Sequence, residues 1–370
     1  GIQGDFVTAD NTLVFSGSAT PNSTVTLSLS GPSHTFSNVI APTNDNGVWS
    51  HDYHGSTLTD GNYTLSASVI GTTVTQNISI DTAIPTGAVT VNSLTTNDRS
   101  PTVTGTAVVN SGESLSVTVN GVTYSTDDSD LSYNSSLHTW SLTIPNDETH
   151  ELSPAVNGGF DGVYSVTATI RDAAGNVLND STTRELLIDT TPPVAPTPSL
   201  TTDSGSSNTD KLTNVGTLSL SGVETDALVE YSTNGIDWTD SFTPVEGTNT
   251  VYVRQTDLAG NVSASSAAFT FVRDTAVPTV SIQNAPATHS GNAFTVTLEF
   301  NEDVTGFAVG DLSVSGASLS NFTAIDGNTY VVTVTPLGTN AITLDVPASV
   351  AQDGAGNNNA AATQINIGYS

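Results

Sequence analysis

The sequence predicts an all-β chain of four tandem, two-sheet antiparallel sandwiches forming an elongated rod. Alternating strands, closely spaced turn dipeptides and a repeated pair of phrases predict it. Thr24-Val-Thr-Leu-Ser-Leu29, Leu115-Ser-Val-Thr-Val119, Tyr164-Ser-Val-Thr-Ala-Thr-Ile170 and Phe294-Thr-Val-Thr-Leu-Glu-Phe300 alternate apolar with small polar residues, the period of a half-buried strand. Asp60-Gly61, Asn120-Gly121, Asn234-Gly235 and Asp326-Gly327 are dipeptides that tolerate positive φ in tight turns, and no window of 12 or more residues carries a helical period. Asp172-Ala-Ala-Gly-Asn176 with Asp189-Thr-Thr-Pro192 is followed in register by Asp257-Leu-Ala-Gly-Asn261 with Asp274-Thr-Ala-Val-Pro278, the paired aspartates standing 17 residues apart in both copies. That constancy marks one repeated structural unit.

Asp353-Gly-Ala-Gly-Asn357 is a third copy of the turn, whose 17-residue mark falls on Ser370, and Asp81-Thr-Ala-Ile-Pro85 is a further proline-stop phrase. Proline removes a ladder donor and stiffens the exit from a strand, so boundaries are placed at these phrases. Domains are expected at residues 1–82, 83–190, 191–275 and 276–370. Trp49 precedes Tyr63 by 14 residues and Trp140 precedes Tyr164 by 24, which predicts a ten-residue insertion in the second unit between Pro145 and Asp161.

With 6 Lys plus Arg against 36 Asp plus Glu, the formal charge of -30 disfavours nucleic acid and anionic membrane and favours cations. No Cys is present, which excludes disulfides and thiolate metal sites. The lack of Met, of a basic leader and of a long apolar run is read as the mark of a fragment of a longer chain.

The Asp-x-x-Gly-Asn turns admit two readings. Asp caps its own backbone and Gly accepts left-handed φ, so the phrase makes a good turn unaided. Alternatively its carboxylate and amide oxygens are hard ligands for calcium, and the fixed partner aspartate with the acidic excess favours the ion. On that reading Asp172 and Asn176 pair with Asp189, and Asp257 and Asn261 with Asp274, each pair at one pole of its sandwich. Asn97 and Asp98 add oxygens at the first junction, beside Asp81, and Asn208 and Asp210 at the second. Asp81 and Asp353 are expected to lack turn partners, because Thr64 stands 17 residues before Asp81 and Ser370 17 after Asp353.

Other chemistry has less support. His51 and His54 are a zinc pair only if they share a face, which strand alternation opposes. Glu302-Asp303 and Asp127-Asp128 are adjacent acids that diverge in a strand, and no nucleophile elbow, phosphate loop or zinc-protease helix is present. No enzyme is predicted. Trp49, Trp140 and Trp238 are expected in the cores rather than on a sugar-binding face.

Gly162-Val-Tyr-Ser-Val-Thr-Ala-Thr-Ile-Arg-Asp-Ala-Ala-Gly-Asn176 followed by Ile188-Asp-Thr-Thr-Pro192 resembles the bacterial Ig-like repeats of giant surface adhesins exported by type I secretion. Asn97-Asp-Arg-Ser-Pro-Thr-Val-Thr-Gly105 resembles the opening of the same repeat, and Phe300-Asn-Glu-Asp-Val-Thr-Gly-Phe307 with Asp353–Asn357 is similar to a sister class. The resemblance implies immunoglobulin-like sandwiches in an extracellular extender, monomeric, with calcium at the junctions stiffening the array that projects a distal adhesive domain. Its partners are then calcium and the neighbouring domains. The rival expectation is a segment in which one atypical unit grips a glycan or a host protein.

Overall fold

The computed structural model describes residues 6–145, 152, 161–180 and 182–370. The described residues are strands and turns apart from one 3-10 turn, Val309–Asp311. Two compact bodies divide the chain, residues 1–191 and 192–370, and each contains two sandwiches in sequence.

The first sandwich runs β1 (Val7–Thr8), β2 (Val14–Ser18), β3 (Thr24–Ser30), β4 (Phe36–Pro42), β5 (Val48–Asp52), β6 (Gly61–Val69) and β7 (Thr72–Ile80). A sheet of order β1-β7-β6-β3-β4 packs on the pair β2-β5. Alternation in β3 sends Val25, Leu27 and Leu29 inward against Phe15, Trp49 and Tyr63. Each such fully buried side chain contributes about 1.5–3 kcal/mol. The β6–β7 hairpin closes on Ile70 and Gly71, both at positive φ, a two-residue turn that replaces the five-residue phrase of the other units.

The second sandwich has β8 (Val89–Val91), β9 (Leu94–Thr96), β10 (Thr102–Ala107), β11 (Ser114–Val119), β12 (Val122–Ser125), β13 (Leu131–Asn134), β14 (Thr139–Thr143), β15 (Gly162–Tyr164), β16 (Val166–Arg171), β17 (Val177–Asn179) and β18 (Leu186–Ile188). Sheets β13-β14-β10-β8, β12-β11-β16-β17 and β15-β18-β9 enclose a core around Trp140, Tyr124 and Leu142. Asn120 and Gly121, at φ 49° and 87°, close β11 onto β12 as their dipeptide predicts. Asp60-Gly61 is no hairpin turn; Gly61 opens β6. The insertion expected between Pro145 and Asp161 lies largely outside the described residues.

In the second body the third sandwich has β19 (Thr197–Leu200), β20 (Leu212–Thr213), β21 (Leu218–Ser221), β22 (Leu228–Ser232), β23 (Gly247–Thr256) and β24 (Phe269–Arg273), in sheets β19-β21 and β20-β24-β23-β22. Its interior combines Val251, Val253 and Phe271 with buried Gln255, Ser263 and Ser266. Gln255 Nε2 donates to the carbonyls of Val194 at 2.7 Å and Gly222 at 2.8 Å, and its Oε1 accepts the Glu224 N–H at 2.9 Å. A buried amide is tolerated when its bonds are met in this way.

The fourth sandwich has β25 (Val280–Gln283), β26 (Thr288–His289), β27 (Phe294–Phe300), β28 (Ser313–Ser315), β29 (Ala317–Ala324), β30 (Thr329–Pro336), β31 (Ile342–Asp345) and β32 (Ile365–Tyr369). Sheets β25-β27-β30-β29 and β26-β32-β31-β28 sandwich Phe300, Phe307, Tyr330 and Leu344.

Trp49 and Trp140 are core residues, 6% and 2% exposed. Trp238 departs from the expectation: it lies outside any strand and is only half-buried, and Arg254 stacks on it at 4.3 Å. Among the described residues β2 pairs only with β5, and an open groove of about 970 Å³ beside it is lined by Val14, Phe15, Trp49, Leu65 and Val74.

Candidate metal centre

Each Asp-x-x-Gly-Asn phrase folds into the same closed turn. Asp172 Oδ1 accepts the N–H groups of Gly175 at 2.7 Å and Asn176 at 2.8 Å, while Oδ2 accepts Asn176 Nδ2 at 2.9 Å. Asp257 binds Asn261 N and Nδ2, both at 2.8 Å, and Asp353 binds Asn357 N and Nδ2, again at 2.8 Å. Gly175, Gly260 and Gly356 take φ of 99°, 94° and 91°, which a side chain would strain. The spacing of Asp and Asn is therefore already explained by the turn.

The expected pairing of each turn with its own strand end is overturned. Asp172 follows the far end of the β15–β16 course, whose first residue, Gly162, pairs with Ile188 just before Asp189. Asp257 follows β23, whose first residue, Gly247, pairs with Arg273 just before Asp274. Ten residues of strand at about 3.3 Å each put roughly 30 Å between the aspartates of each pair. Seventeen residues hold one turn and one return strand, so they carry the chain from one pole to the other.

Two of the turns, those of Asp172 and Asp353, meet the sandwich before them instead, each within one body. Asn176 Nδ2 donates to the Asp81 carbonyl at 2.8 Å, and the Ala9 N–H to the Ala174 carbonyl at 3.1 Å. In the second body Asn357 Nδ2 donates to the Asp274 carbonyl at 2.9 Å, Ser204 Oγ to the Ala355 carbonyl at 2.6 Å, and Asn214 Nδ2 to Asn357 Oδ1 at 3.2 Å. Gly205 lets the backbones approach, because a Cβ there would lie 2.0 Å from the Gly354 carbonyl oxygen. Asp81 and Asp353, expected to stand alone, are thus the two that have turn-to-exit partners within a body.

Asn97 and Asp98 are also relocated. They follow β9, which runs parallel to β18 with Thr96 opposite Ile188, so they sit at the Asp189 end of the second sandwich and not beside Asp81. Asp98 accepts the Ser100 N–H at 2.9 Å. Asp210 is exposed ahead of β20 and accepts the Leu212 N–H at 3.0 Å.

Among the described residues one group of acids draws together: oxygens of Asp274, Glu302 and Asp353 lie within 4.8 Å of one another. Asp274 ends the third sandwich, Glu302 follows β27, and Asp353, only 2% exposed, opens the turn of the fourth. Burial first, then the charges of Asp353 and Asp274, push the Glu302 carboxyl above its ordinary value. Glu302 escapes the sequence reading, which weighs it only with its neighbour Asp303; that residue points elsewhere, toward Gly327. His51 stacks edge-on against Phe36 at 5.4 Å while His54 Nδ1 bonds Asp52 at 2.7 Å, so they form no zinc pair.

Three hard oxygen donors that repel one another fit a divalent cation of the calcium type, which accepts carboxylates and carbonyls together. Asp274, Glu302 and Asp353 would hold it, and it would supply the charge that cancels their repulsion.

Two segments match family models described as bacterial Ig-like domain, residues 274–369 and residues 1–82. No curated protein matches the chain in sequence. Among solved structures, a tetra-tandem repeat in the extending region of a large adhesion protein is 18% identical, with 97% of each chain covered and a TM-score of 0.26. Fibronectin(III)-like modules of Clostridium thermocellum CbhA are also 18% identical, covering 50% of this chain and 94% of theirs at a TM-score of 0.27. Scores this low bear on neither arrangement nor activity.

Proposed function

We propose that this chain, whose residues 1–82 and 274–369 match bacterial Ig-like domains, is a non-enzymatic extender segment of a bacterial surface adhesin, with calcium at domain junctions. The observation that carries the reading is the junction itself: Asp274 from one sandwich meets Glu302 and Asp353 from the next, within 4.8 Å. A cation there would add an ionic tie to the hydrogen bonds that already join the two domains. The acidic surface, with 36 acids to 6 bases, raises the local cation concentration and sets self-repulsion against an array that lacks the ion. Restricting the angle at each junction preserves reach, the property a spacer must have to project an adhesive domain. Surface display by type I secretion follows from the same reading.

Small-angle X-ray scattering of the full chain at matched ionic strength, in millimolar calcium and then in excess chelator, tests it. A sharply defined maximum dimension in calcium that broadens in chelator is expected. Identical profiles, with no calcium uptake by calorimetry, would leave the phrases as turns and overturn the calcium mechanism.

A further inference from the structure

Three sandwiches tie down their exits in the same way, through an acid just ahead of the glycine that opens the penultimate strand or strand course. Asp60 Oδ1 accepts the Thr82 N–H at 3.0 Å and its hydroxyl at 2.8 Å. Asp161 Oδ1 accepts the Thr190 N–H at 2.7 Å and hydroxyl at 2.6 Å, and Oδ2 accepts the Thr191 hydroxyl at 2.6 Å. Glu246 takes the Thr275 N–H on Oε1 and its hydroxyl on Oε2, both at 2.9 Å. The glycines that follow, Gly61, Gly162 and Gly247, all have positive φ, and each threonine follows an exit aspartate.

Those aspartates complete the pattern by turning back on the same few residues. Asp81 Oδ1 accepts the Ala83 N–H at 3.1 Å, Asp189 Oδ1 the Thr191 N–H at 2.9 Å, and Asp274 Oδ1 the Ala276 N–H at 2.9 Å. Two successive exit N–H groups are thereby held by two carboxylates, one from the strand start and one from the exit itself. The second bond restricts the rotation of Asp274, whose carboxylate also belongs to the three-acid group.

We propose that Glu246 is a positioning residue, which clamps the exit threonine Thr275 so that Asp274 presents a pre-aimed oxygen to the junction before any cation arrives, and that Asp60 clamps Thr82 beside Asp81 in the same way. The inference rests on the calcium reading at Asp274 and concerns the protein's own groups around it. Outer-shell partners of a metal ligand characteristically change affinity by tenfold or more when removed, and less where solvent competes. Because Glu246 and Thr275 are exposed, a threefold to tenfold loss is expected here.

The test compares the full chain with Thr275→Val, which keeps shape and N–H but removes the hydroxyl, Glu246→Ala, which removes the acceptor, and Thr275→Ser as rescue. Amide exchange is read in chelator over residues 272–280, and the calcium midpoint is read from protection of residues 353–357, with β27 as a control for folding. Faster exchange at Thr275 and Ala276 in chelator for the first two variants, a midpoint raised threefold to tenfold, and recovery in Thr275→Ser are expected. Unchanged exchange and midpoint in Glu246→Ala, in a chain that responds to calcium as wild type, would overturn the clamp. A wild-type chain with no calcium response would sink the calcium reading alone, since the exchange of the apo chain still reports on the clamp.

Discussion

The two junctions that lie within the bodies begin from nearly the same words and end in different electrostatics. Asp81-Thr-Ala-Ile-Pro85 and Asp274-Thr-Ala-Val-Pro278 differ at one position, and each exit carbonyl is capped by the asparagine of the following turn, Asn176 or Asn357. The contrast lies one strand away. Val89 pairs with Ala107 as Val280 pairs with Phe300, and the next residues, Val108 and Asn301, donate to the carbonyls of Ala88 and Thr279. By that register Val109 stands where Glu302 stands. The first junction keeps an apolar residue packed on its own core, while the second adds a third carboxylate. Keeping three neighbouring carboxylates ionised grows costlier as burial deepens, so under the proposed calcium reading the second junction depends on a cation more than the first.

The largest expected effect comes from Asp353→Asn. It removes a carboxylate from the three-acid group while leaving the turn's main-chain bond, so the calcium-dependent rise in melting temperature of the second body should vanish in calorimetry. A rise equal to wild type would show that the group is not the site. Glu302→Gln sharpens the contrast through opposite signs: calcium affinity should fall by about tenfold, about 1.4 kcal/mol, while the chelated protein becomes more stable because the repulsion is gone. Loss of stability in both conditions would refute the repulsion.

Valine 109 allows the reverse experiment. Val109→Glu should destabilise the first body by about 1–2 kcal/mol in chelator, through lost packing and new charge, and calcium should restore part of that loss. If calcium restores nothing, the two junctions differ by more than one side chain.

The pH response separates the junction acid from the exit clamps. Glu302 has a folded value above its ordinary 4.5, so its folded form holds more protons than its unfolded form between those values. Its ionisation therefore costs stability as pH rises through the folded value, and acidification recovers that stability down to about 4.5. Asp161 and Glu246 behave oppositely: their hydrogen bonds from Thr190 and Thr275 lower their values, and the stabilisation is lost only as pH falls through those lowered values. In chelator the wild-type second body should gain stability on mild acidification, and Glu302→Gln should abolish that gain, as followed by thermal melts across the range. The smallest effect is expected from Asn176→Ala and Asn357→Ala, each about 1 kcal/mol for the lost cap, with the second partly masked when calcium is present. Equal effects in calcium would remove the distinction between the junctions.

Alternation in β3, β11, β16 and β27 and the Asn120-Gly121 hairpin made the all-β fold legible, because side-chain period and turn stereochemistry act over a few residues. The recurring Asp-x-x-Gly-Asn phrase likewise announced a closed turn and an acid worth following. What the sequence could not display was the partner. A hairpin turn and the end of the strand leaving it lie at opposite poles, so Asp172 and Asp257 are carried away from the aspartates that follow them at a fixed count. Asp353 finds Asp274 only because one sandwich stacks on the next, and Glu302 joins them only because the register of β25 and β27 delivers it to that pole. Local chemistry is written in neighbouring residues and was determined by the chain alone; the meeting of three like charges depends on distances across separate domains, which only the tertiary structure decided.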